Sequence, residues 1–137
     1  MAVIREGITS MDGSTISFGD YSVEAKLKID GFEFGGDIYK VKTHREITRL
    51  EKNGKLLLEA VPGAAIHEFH IDERLVSFTG EGFENTQMTL ELAPETEYTV
   101  FIDGVNTGRM KTNLSGKISF SVDLNQKDMD IKIQKVI

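Results

Sequence analysis

The 137-residue sequence has no cysteine, no tryptophan, two prolines, three histidines and three tyrosines. Without cysteine there are no disulfides, thiolate metal sites, cysteine nucleophiles or CxxC redox pairs. Basic residues are also in short supply, 16 Lys and Arg against 22 Asp and Glu. The resulting net charge of −6 disfavours a nucleic-acid or anionic-membrane surface. Long apolar runs are missing as well. Residues 1–7 meet Arg5 and Glu6 too early for a signal-peptide stretch, and residues 56–66 are broken by Glu59, Pro62 and Gly63, far short of the roughly 20 residues a membrane helix needs. A soluble chain is expected, bacterial and either cytoplasmic or extracellular, with no membrane insertion and the compartment left open.

What is present is β-sheet chemistry. Short runs rich in β-branched and aromatic residues, at 14–18, 21–29, 32–42, 55–61, 65–72, 75–79, 87–92, 97–102, 108–112, 117–124 and 129–137, are separated by Gly, Asp or Asn. This spacing predicts an all-β antiparallel sandwich rather than alternating β and α units. No Pro-rich or Ser-rich linker divides the chain, so residues 1–137 read as one domain. At 15.3 kDa, such a domain should expose about 7,100 Å² when folded, burying roughly two thirds of its surface.

Alternation assigns faces. Ile131 and Ile133 lie between Asp130, Lys132 and Gln134, and Ile118, Phe120 and Val122 between Lys117, Ser119 and Ser121, so both strands should cover a core with one side. Leu56-Leu57-Leu58 instead appears apolar on both faces, consistent with a central strand or with contact to a second copy. On the second reading, Leu57 or Leu58 is the outward residue of a homo-oligomer interface. Residues 43–52 admit two structures. Thr43-His44-Arg45-Glu46 has the form of a capping box that would open a short helix, whereas Asn53-Gly54 suits a type I′ turn pairing 47–52 with 55–60. The hairpin is preferred, with Leu50 opposite Leu57 and Arg49 opposite Leu58.

Leu92-Ala93-Pro94-Glu95-Thr96-Glu97-Tyr98-Thr99-Val100 resembles the corner of fibronectin type III and related immunoglobulin-like sandwiches. Pro94 ends one strand for want of an N–H, and a buried Tyr98 would bond its hydroxyl to upstream backbone. Residues 103–108 and 112–120 resemble closing strands of modules attached to bacterial extracellular and carbohydrate-active enzymes. The resemblance, over residues 90–124, implies a non-catalytic accessory module.

The chemistry-bearing residues are few. His67 and His70, three apart on a strand, should face opposite ways and would converge on one ion only across a bulge. Ala65, His67, Phe69 and Ile71 then share one face. Glu68, His70 and Asp72 share the other, as a solvated surface or as an acid-base or metal cluster. No Ser lies in a G-x-S-x-G elbow, and Gly80-Glu81-Gly82 reads as a hairpin loop rather than a dinucleotide fingerprint. Asp12-Gly13-Ser14 and Asp103-Gly104 could lend oxygens to Ca²⁺ but are ordinary turn sequences. Sugar binding would call on Tyr39 or Tyr21 as exposed rings. Neither a cofactor nor a resident metal is expected. The leading expectation is therefore a non-catalytic structural, assembly or interaction module of a bacterial protein, partnered by itself, another protein or a polysaccharide. A carbohydrate- or ligand-binding module comes second, and a small β-barrel hydrolase or isomerase using His67, His70 and Glu68 third.

Overall fold

In the computed structural model, which describes residues 2–137, every regular element is a strand. In chain order these are β1 (Ile8–Thr9), β2 (Ile16–Phe18), β3 (Leu27–Phe34), β4 (Asp37–His44), β5 (Ile47–Lys52), β6 (Lys55–Val61) and β7 (Ala65–Ile71). There follow β8 (Leu75–Glu81), β9 (Asn85–Glu91), β10 (Glu97–Ile102), β11 (Val105–Lys111), β12 (Lys117–Asp123) and β13 (Met129–Lys135). They form two antiparallel sheets, sheet A in the order β1-β2-β7-β8-β13-β10-β11 and sheet B in the order β12-β9-β6-β5-β4-β3. The fold is the expected all-β sandwich, and its exposed area of 7415 Å² is close to that anticipated from mass alone. The described residues contain no helix long and apolar enough to cross a membrane.

The inner faces meet in a hydrophobic cluster that includes Phe18, Leu50, Leu58, Ile66, Met88, Leu90, Ile131 and Ile133. The one-sided alternation of β13 appears as read, with Ile131 and Ile133 buried and Asp130, Lys132 and Gln134 exposed. Residues 43–52 contain no helix. Arg45 and Glu46 make the tight turn between β4 and β5, and tertiary pairing on both sides of β5 overrides the local capping-box preference. Asn53 and Gly54 carry φ of 52° and 81°, the left-handed pair that a type I′ turn requires.

The expected register of that hairpin is off by one. Leu50 faces Leu58 and Arg49 faces Glu59, because Leu57 is the extra residue of a bulge between the Leu50–Leu58 and Glu51–Leu56 pairs. The bulge lets consecutive leucines both turn inward, so Leu57 is 6% and Leu58 0% exposed. Neither is the outward residue of an apolar face, and the proposed interface through them is corrected on that ground. Ala60, Ala64, Ala65 and Ile66 are fully buried too, since this apolar stretch carries the chain from sheet B into sheet A. The crossing is tightly fitted: a Cβ on Gly63 would stand 2.1 Å from the His44 carbonyl oxygen.

Two threonines tie this end together. The Thr48 hydroxyl donates to the Ala64 carbonyl at 2.7 Å and accepts the Ala64 N–H at 3.1 Å. With that hydrogen committed, Thr43 must donate in the 2.7 Å Thr43–Thr48 contact, while accepting the Asp20 N–H at 2.9 Å. At another crossing between the sheets, from β9 to β10, Tyr98 is buried and its hydroxyl accepts the Ala93 N–H at 3.3 Å. Thr112 reinforces it, donating to the Ala93 carbonyl at 2.6 Å and accepting the Thr96 N–H at 2.9 Å.

Candidate functional site

The register of sheet A sets out the side chains of its outer face. Along β8, Val76 and Phe78 join the core and Gly80 packs on Met88 and Leu124, leaving Ser77, Thr79 and Glu81 on the opposite side. Cross-strand pairing extends these into rows. Phe101, Lys132, Ser77 and His70 lie opposite one another across β10, β13, β8 and β7. A second row runs Asp130, Thr79, His67. Within the rows, the Thr79 hydroxyl donates to Asp130 at 2.8 Å, and the Lys132 ammonium stands 5.6 Å from the Phe101 ring centre. Thus each strand supplies every second residue to a polar face with one aromatic ring.

β7 departs from simple alternation. Between the His67–Thr79 and His70–Ser77 pairs it holds one residue more than β8, and Glu68 there has φ of +54°. The bulge corrects the expected face assignment: Ile66 and Phe69 go to the core, while His67 turns outward. It places His67 and His70 opposite residues of a single face, yet their side chains do not converge. His67 Nε2 lies 2.9 Å from Glu81 Oε1, and His70 Nε2 lies 2.9 Å from Asp72 Oδ2. Glu68 joins neither pair, so the anticipated Glu68, His70 and Asp72 cluster reduces to an exposed His70–Asp72 pair. Among the described residues, no three His, Asp or Glu side chains are placed to hold a metal ion. The Asp12 carboxylate accepts the Ser14 and Thr15 N–H groups, and Asp103 accepts from Lys127 at 2.7 Å. Both carboxylates are thus engaged by groups of this chain, Asp12 within its own turn and Asp103 across 24 residues.

Glu81, expected in a hairpin loop but placed at the end of β8, is the hub of a polar network. Its other oxygen accepts the Tyr21 hydroxyl at 2.8 Å. With Glu81 as a carboxylate, an acceptor only, His67 Nε2 carries the hydrogen. Tyr21 stacks on Phe83 with centroids 5.6 Å apart, and the Arg45 guanidinium lies 4.5 Å over Phe83. Burial first, and then the bond to Glu81, pushes the Tyr21 phenol up to about 12. It remains a protonated donor at neutral pH. Tyr21 is therefore half-buried and occupied, and Tyr39 is 5% exposed, inside the core cluster. Neither ring is the exposed platform expected of it; burial of Tyr39 pushes its phenol up as well. The signal for the outer face lay in the period-two polar positions of β8 and β13. No such signal marks Glu81 as the partner of His67 and Tyr21, since that contact spans 14 and 60 residues.

Two hollows lie over this face. One of about 550 Å³ is lined by Glu68, Ser77, Thr79, Phe101, Asp130 and Lys132, with backbone of β8 and β13 beneath. The other, about 420 Å³, lies over β2 and the 2–12 segment, with His67 and again Glu68 in its wall. Glu68 stands where they adjoin. Comparison with protein-family models, with curated proteins and with solved structures finds no match.

Proposed function

We propose that this chain is a non-catalytic interaction module of a bacterial protein, and that it meets its partner through the outer face of sheet A. The observation that carries this reading is the lattice of paired polar side chains beneath the two adjoining hollows. A recognition surface needs several fixed donors and acceptors on a rigid frame, and interior strands of a seven-stranded sheet supply one. Both histidines of β7 and Tyr21 are held by carboxylates: His67 and Tyr21 by Glu81, His70 by Asp72. The resemblance of residues 90–124 to accessory modules supports the same class, and the tyrosine corner that carries it is formed. Hydrolysis of chromogenic esters, phosphate monoesters and glycosides tests the reading. Background rates are expected, equal in the protein and in its His67→Asn and Glu81→Gln variants. Turnover that falls in either variant would overturn it in favour of a small hydrolase.

A further inference from the structure

Glu68 has a φ of +54° inside β7. Three other non-glycine residues have positive φ, Asn53, Glu95 and Asp103, and all three sit in turns; Glu68 alone among these lies within a strand. A glutamate gains nothing locally from that conformation, which places Cβ against the following carbonyl oxygen. The surroundings hold it there nevertheless: the Glu68 N–H, displaced by the bulge, donates to the Ser17 hydroxyl of β2 at 3.0 Å. The consequence is an exposed carboxylate aimed off the sheet at the junction of the two hollows. A strained residue kept by its neighbours, with its side chain at a concave surface, marks a functional position.

Resting on the reading of this face as the recognition surface, we propose that Glu68 is the central contact of a groove for a neutral polyhydroxylated chain, an oligosaccharide laid across β7, β8 and β13. The lining chemistry selects this class. Ser77 offers a hydroxyl that donates and accepts, Thr79, whose hydrogen goes to Asp130, accepts, Glu68 and Asp130 accept from ligand hydroxyls, Lys132 donates to ligand oxygens, and Phe101 presents a half-buried ring for the C–H face of a sugar. Two carboxylates in the groove, on a chain of net charge −6, disfavour phosphorylated or other acidic polymers. An extended peptide would look for free backbone groups, but β7, β8 and β13 are paired on both sides.

Cellohexaose, xylohexaose, mannohexaose and maltohexaose, titrated separately and followed by amide NMR, provide the test. At least one should shift amides of β7, β8 and β13, with affinity falling about tenfold in Glu68→Gln and in Phe101→Ala, as expected for loss of a charge-assisted hydrogen bond or a ring contact. Lys28→Ala, on sheet B, should bind unchanged. Amide spectra of the variants establish that each is folded. No shift with any of the four sugars, or affinity unaltered in Glu68→Gln, overturns the proposal. If the sugars fail while a peptide library shifts the same amides, the sugar assignment falls and the recognition face stands. Shifts confined to sheet B would refute both.

Discussion

Single oxygens decide much of this structure. Tyr98 fixes the β9–β10 crossing through one long bond, 3.3 Å from the Ala93 N–H. Removing its hydroxyl should therefore cost only about 0.5 kcal/mol, the low end for a net hydrogen bond, and urea unfolding of Tyr98→Phe would measure it. A loss several times larger would mean that the corner carries more than this contact. Tyr21 gives a pH prediction whose sign is fixed by its protonated state. Its phenol is raised in the folded chain to about 12 from an ordinary value near 10. The associated stability is fully present below the ordinary value and is lost as the pH rises through the folded one. Phenolate absorbance should show a latest-titrating tyrosine, near pH 12, that disappears in Tyr21→Phe while the raised Tyr39 remains. An unchanged titration in that variant would assign the late phenol elsewhere. The Tyr98 corner was legible because Pro94 and Tyr98 lie four residues apart in one motif. The Tyr21–Glu81 bond was not, because residues sixty apart met only once β2, β7 and β8 had aligned.

At the level of strands, alternation read from sequence held wherever pairing was regular and failed where a residue was inserted. β13 is regular, and its buried isoleucines and exposed Asp130 and Lys132 follow from period two. β6 and β7 contain bulges, at Leu57 and around Glu68, and one extra residue exchanges the faces of everything beyond it. That explains two of the corrected readings, the apparent two-faced leucine run and the Glu68, His70 and Asp72 face. Local sequence gives little warning of such insertions, since a bulge answers to the partner strand. The Leu57 bulge makes a sharp prediction. Leu58→Glu would bury a carboxylate in the core beside Leu50 and Leu90, without a partner, and should abolish cooperative folding. Circular dichroism during thermal melting would show it. A well-folded Leu58→Glu protein of smaller mass than the parent would restore the interface reading instead.

For the molecule as a whole, fold class and size could be read from composition and turn spacing, whereas the hollowed outer face of sheet A could not. Its residues come from β2, β7, β8, β10 and β13, spread across most of the chain, and they meet only through the sheet A strand order. On the proposed reading, Glu68 is held in an unfavourable backbone conformation for the sake of that face. Replacing it with glycine separates folding from recognition. Relief of the left-handed penalty, about 1–2 kcal/mol, exceeds the roughly 0.5–1 kcal/mol that glycine loses in chain entropy. The melting temperature of Glu68→Gly should then rise by about 2–5 °C, while binding at the outer face of sheet A is lost. A lower melting temperature, or binding retained in full, would contradict the account.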